Sequence, residues 1–120
     1  MYRIPKDIDL SKIIGEITTQ IRVGQFDIQF EIGEVGFSIW SPINLFRGGV
    51  TVGRWEENMW PSPSFVEVLN VKVANFSIPD ERTIIISFDN DLEVHLVDSS
   101  DQYESMQISI KGDKLGPWII

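Results

Sequence analysis

The stretch Gln25-Phe26-Asp27-Ile28-Gln29-Phe30-Glu31-Ile32 alternates polar and apolar residues without a break. Successive side chains of a strand point to opposite faces, so Phe26, Ile28, Phe30 and Ile32 share one face and the polar residues the other. One wet face and one apolar face is the pattern of an antiparallel strand laid on a core. Working outward, Ile17, Ile21 and Val23 mark a preceding strand between Gly15 and Gly24. Val35, Phe37 and Ile39 mark a following one that stops at Ser41-Pro42. Further on, Val71, Val73, Phe76 and Ile78 lead to Pro79, and Ile84, Ile86 and Phe88 lead to Asp89-Asn90-Asp91. Alternation resumes at Leu92, Val94 and Leu96, and Asn and Asp tolerate the left-handed backbone that a tight hairpin needs. Met106, Ile108 and Ile110 read as one more strand, with a short one at Trp118-Ile119-Ile120.

Helical signals are brief. Asp7 or Asp9 can cap a short helix through Leu10, Ile13 and Ile14, with Gly15 beyond its end. Ser64-Phe65-Val66-Glu67 is a capping-box pattern ahead of Val68 and Leu69. Between the halves, residues 46–64 read as irregular, with Val50-Thr51-Val52 as a candidate extra strand. Leu10, Ile14 and Gly15 fall opposite Phe65, Leu69 and Asn70 at a constant offset, and three strands follow each turn. The expectation is one domain over residues 1–120, α+β in class. It is mainly an antiparallel sheet of six to eight strands with two short helices, read as a duplicated helix–β–β–β unit.

Composition narrows the function. The chain has 120 residues with 42% hydrophobic and 23% charged, the make-up of one globular core. Ten Lys and Arg against 18 Asp and Glu give a net charge of −8. That argues against nucleic acid, whose phosphates need basic groups, and against an anionic membrane. Cysteine is absent, which removes disulfides, thiolate nucleophiles and Cys-based metal sites. No apolar leader or spanning segment is seen, so a cytoplasmic protein is expected. No cofactor or metal motif is found: the glycines lack the spacing of a phosphate-binding loop, and Asp89-Asn90-Asp91 lacks the rest of a calcium loop.

The acids are not evenly spread. Residues 80–104 hold eight acids and only Arg82 as a base, net −7, whereas the rest holds ten acids and nine bases, net −1. Such a segment serves either solubility or the capture of a basic protein partner. The single histidine, His95, shares a strand face with Glu93, which reads as a general base with its orienting acid or as an ordinary strand pair. No nucleophile is placed to complete a catalytic set, so a non-enzyme is expected. Trp55 and Trp60, in Arg54-Trp55-Glu56-Glu57-Asn58-Met59-Trp60-Pro61, have the composition of a contact hot spot or of a lid on the sheet. The candidate partner-binding residues are therefore Glu93, His95, Asp98, Asp101, Glu104, Trp55 and Trp60.

The segment from Ile84 to Leu96, followed by Asp98-Ser99-Ser100-Asp101-Gln102-Tyr103-Glu104-Ser105, carries a resemblance. It resembles a set of small bacterial proteins of largely uncharacterised function. These have a strand–F-x-N/D-G–strand hairpin, then an acidic D-x-S-x-x-Y-E-S turn and a last strand. Some members resemble immunity proteins of polymorphic or contact-dependent toxin systems. The match covers about the last 40 residues, and Asp91 stands where the pattern usually has Gly. The resemblance implies an immunity-type inhibitor that neutralises a basic toxin domain through its acidic face. The other expectation is a structural or oligomeric accessory domain. In the motif itself, Asp98 is expected to cap the turn and Tyr103 to fold under the sheet.

Overall fold

The computed structural model describes residues 3–113 and 116–120. Its ten strands are β1 Thr18–Val23, β2 Ile28–Ile32, β3 Val35–Ile39, β4 Ile43–Arg47, β5 Val50–Trp55, β6 Val73–Asp80, β7 Thr83–Phe88, β8 Leu92–Val97, β9 Met106–Ile110 and β10 Trp118–Ile119. They form two antiparallel five-stranded sheets, ordered β1-β2-β3-β9-β10 and β5-β4-β8-β7-β6. The α+β expectation is thereby corrected: half of the chain is strand, and among the described residues no helix reaches seven residues. The two expected helices are 3-10 turns, Ser11–Ile13 and Pro63–Val68. Starting a helix fixes several residues for its first bond, and only a few residues separate each start signal from the left-handed Gly15 or Asn70. The backbone closes i→i+3 bonds instead, such as Ile14 N–H to Ser11 C=O at 3.1 Å and Leu69 N–H to Val66 C=O at 3.1 Å.

The strand count is also higher than the expected six to eight. The region read as irregular holds β5 and the end of β4. Its phase is hidden by a bulge at Leu45/Phe46, which shifts the register of β4 against β5. The Gln25–Ile32 run, in turn, is strand only from Ile28. Gly24 N–H donates to Asp27 C=O at 2.9 Å, which turns Gln25-Phe26 into the hairpin loop and puts Phe26 outside the sheet.

The expected helix–β–β–β repeat is replaced by a larger relation. Each half consists of a 3-10 turn and five strands, and the halves exchange their ends. Strands β1-β2-β3 take β9-β10 from the second half, and β6-β7-β8 take β4-β5 from the first. Where the halves meet, Gly15 N–H bonds Val73 C=O at 2.8 Å and Asn70 N–H bonds Thr18 C=O at 2.9 Å. Donors and acceptors in these two bonds match at a spacing of 55 residues. Ile17 and Lys72, also matched by that spacing, bridge each other. The bulges at Thr18/Gln20 and Val73/Asn75 repeat it again. A local two-fold relation thus runs between β1 and β6.

The inner faces of the sheets form a single core. Ile28, Phe30 and Ile32 meet Val35, Phe37 and Ile39 in one sheet, and Ile84, Ile86 and Phe88 meet Leu92, Val94 and Leu96 in the other. Phe30 and Phe37 stack at 4.8 Å between ring centroids. Each such side chain contributes roughly 1.5–3 kcal/mol by leaving water.

The junction makes a specific demand on the backbone. Gly15 has φ +83° and Asn70 φ +64°, and a Cβ on Gly15 would meet nothing within 4 Å. Only the dihedral is therefore costly there. Gly15→Val should lower unfolding free energy by about 1–2 kcal/mol, while Asn70→Gly should change it by less than about 0.5 kcal/mol. Urea denaturation of both variants checks this.

Candidate functional site

The acidic segment does not form one face. β7 and β8 run between its two groups, and a six-residue strand spans roughly 17–20 Å. At one end, Asp89 and Asp91 lie exposed in the β7–β8 turn, where Asp91 takes φ +68° in place of the Gly of the resembling pattern. At the other end lie Asp80 at the end of β6, Glu81 in the β6–β7 connection, and Asp98, Asp101 and Glu104 in the β8–β9 loop.

Asp98 is fully buried and does not present itself to a partner. Its carboxylate accepts the Ser105 hydroxyl at 2.7 Å and the Arg3 guanidinium at 2.9 Å. Its N–H donates to Arg82 C=O at 2.7 Å, and its own C=O accepts the Arg82 guanidinium at 3.3 Å. Asp101 accepts from both Arg3 and Arg82, the latter at 2.8 Å. The two arginines thus clasp the N-terminal arm, the β6–β7 connection and the β8–β9 loop together. A buried carboxylate is tolerated because charged donors replace its water. The cap expected of Asp98 is supplied by Ser100, whose hydroxyl accepts Gln102 N–H at 3.1 Å and Tyr103 N–H at 2.9 Å. Tyr103, expected under the sheet, is 73% exposed. Glu104 is exposed beside it.

Glu93 and His95 project from the outer face of β8, since Leu92, Val94 and Leu96 fill the inner one. His95 Nε2 lies 3.0 Å from Glu93 Oε1, and its ring rests on Phe46 of β4 at 4.5 Å. Cross-strand neighbours are Asn44 and Ile85. The concavity nearby, about 460 Å³, is an open groove walled in part by Arg47, Ser87, Asp91 and Glu93. Arg47 is already engaged there by Glu67 at 2.9 Å and by Asn90 C=O at 3.3 Å. Among the described residues no group of three or more His, Cys, Asp or Glu could hold a metal ion, and no helix is long and apolar enough to cross a membrane.

The two loop tryptophans part company. Trp55 ends β5 on its inner face, opposite Ile43, and is completely buried. It is a core residue in this fold and not an accessible anchor. Trp60 is 86% exposed. Around it, Val23, Gly24, Gln25, Asn58 and Met59 line a shallow groove of about 380 Å³. The loop carrying it is held at both ends. Asn58, with φ +69°, donates its N–H to Gln25 C=O at 3.2 Å, and Ser62 exchanges bonds with the Arg54 backbone at 3.0 and 3.1 Å. Val23 and Phe26 are exposed on the adjoining hairpin. Neither was singled out by the sequence, because both sit in phase with the core residues of their strands. Arg3 was missed as well: nothing local joins it to an aspartate 95 residues away.

Asp98→Ala should cost about 2–3 kcal/mol, because it strands Ser105 and removes a charged acceptor. Arg3→Ala should cost less, since Arg3 is partly solvated, and the double variant should fall short of the sum by about 1 kcal/mol or more. Urea denaturation of the four-member cycle measures this. Comparison with known proteins finds no matching family model, curated protein or solved structure.

Proposed function

We propose that this chain is a non-catalytic binding protein, an immunity-type inhibitor that occupies a basic protein partner. The observation that supports it most is the net charge of −8 on a protein whose described concavities beside Trp60 and beside Glu93 are open grooves. Asp89, Asp91 and Glu104 are exposed and enter no ion pair among the described residues. Carboxylates of this kind, set at both ends of β7 and β8, add to a field that draws in a basic partner and speeds encounter with it. The D-x-S-x-x-Y-E-S resemblance is consistent with such a role, although Asp98 and Asp101 are engaged by Arg3 and Arg82. That internal pairing is the observation favouring the second reading, an accessory domain whose acidic motif serves only its own fold.

Mixing the protein with the product of its neighbouring gene tests the first reading. At low ionic strength a complex is expected that weakens tenfold or more when salt is raised. Replacing Asp89, Asp91 and Glu104 by Lys should reduce the association rate about tenfold or more and lower stability by no more than about 1 kcal/mol, the cost of placing Lys at the left-handed Asp91. Absence of a complex at low salt would overturn the toxin-inhibitor role, and indifference to the three Lys substitutions would favour the accessory role.

A further inference from the structure

The two halves furnish an internal comparison that locates a docking surface. In the first half the arm before the 3-10 turn lies on the β6–β7 connection, where Ile4 N–H bonds Glu81 C=O at 2.8 Å. In the second half the matching arm lies on the β1–β2 loop through the Asn58 to Gln25 bond at 3.2 Å. Ile4 and Met59 correspond at the 55-residue spacing that relates the junctions. Their fates differ: Ile4 is 3% exposed, Met59 is 36% exposed and Trp60 beside it stands almost free.

The cause is the length of one connection. From β8 to β9 the chain takes eight residues, 98–105, enough for Asp98, Ser100 and Asp101 to reach over and hold Arg3. The corresponding link from β3 to β4 has three residues, 40–42. It cannot supply a cover, so the second arm keeps its apolar residues in water. β1, which ends at this spot, is also an edge of its sheet. A large exposed apolar cluster on a loop pinned at both ends is the mark of a contact surface rather than of a solvated loop.

We infer that Val23, Phe26, Met59 and Trp60 form the docking surface for a basic protein partner, which supplies the cover that the short β3–β4 link does not. Charge selects the occupant. Residues 23–27 and 56–61 contain Asp27, Glu56 and Glu57 and no Lys or Arg. Among the described residues Glu56 pairs with Arg54 at 2.8 Å and Asp27 accepts the Gln29 side-chain amide at 2.8 Å, while the exposed Glu57 enters no ion pair. A second copy of this chain would bring the same carboxylates and a further net −8 against them, whereas a Lys- or Arg-bearing segment would neutralise them around a seated indole. The inference rests on the basic-partner reading above and adds where that partner sits.

A random peptide library displayed on phage, panned against the full chain, tests it. Enriched peptides should combine Lys or Arg with apolar residues, shift the amide resonances of residues 23–27 and 58–60, and bind Trp60→Glu at least about tenfold more weakly. Because Trp60 is almost fully exposed, that variant should fold, and its spectrum elsewhere should be unchanged. Basic peptides indifferent to Trp60→Glu but lost with Asp89→Lys and Asp91→Lys would overturn this surface while sparing the basic-partner reading. Acidic or uncharged peptides seated at Trp60 would overturn the basic occupant and that reading together. No Trp60-dependent peptide at all, or a dimer in sedimentation that Trp60→Glu abolishes, would equally overturn the proposal.

Discussion

Everything in this fold depends on the exchange of strand pairs between its halves. A unit of a 3-10 turn and five strands leaves β3 without a neighbour on one side and β4-β5 without a sheet to join. Pairing β3 with β9 and β8 with β4 satisfies both sets of backbone groups at once. The junction at Gly15–Val73 and Asn70–Thr18 then sets how the two sheets face each other. Those contacts join residues far apart in sequence, so the core closes only when both halves are in place.

Near-symmetry of the backbone makes the differences between the halves informative. The β8–β9 loop is long and acidic, and Arg3 and Arg82 hold it down over the N-terminal arm. The β3–β4 link is short, and the arm on that side keeps an exposed indole. One fold therefore presents a closed end, whose charges are largely satisfied internally, and an open end with apolar and acidic groups in water. The same acidic composition plays two parts: a buried electrostatic clasp at Asp98, and unpaired surface charge at Asp89 and Asp91.

Much of the architecture was legible in the chain. Strict alternation through Phe30, Ile32, Val35, Phe37 and Ile39, and again from Ile84 to Leu96, put the right side chains into the core, because a strand's period of two is a local property. Asp89-Asn90-Asp91 announced its hairpin through its tolerance of positive φ. Apolar residues near Phe65 and Val68 suggested helices because burial alone does not tell a 3-10 turn from a short helix. Only the Val50-Thr51-Val52 part of β5 was legible, because the register shift beside Gly53 broke its phase, and the five-residue β4 between Pro42 and Gly48 went unread. Gly53 is itself required by close approach, since a Cβ there would lie 3.2 Å from Leu45 and closer still to Ser64.

The sequence by itself determined the antiparallel sheets, the core face of most strands and an acidic protein without cysteine chemistry, since these follow from residue type and short-range spacing. The tertiary structure alone decided which charges remain available and which tryptophan meets solvent. Asp98 became buried because Arg3 arrives from the other end of the chain, and Trp55 and Trp60, five residues apart, were separated into core and surface. The physical reason is common to both: exposure and charge pairing depend on what the rest of the chain brings alongside, and loop length, here three residues against eight, governs whether it arrives.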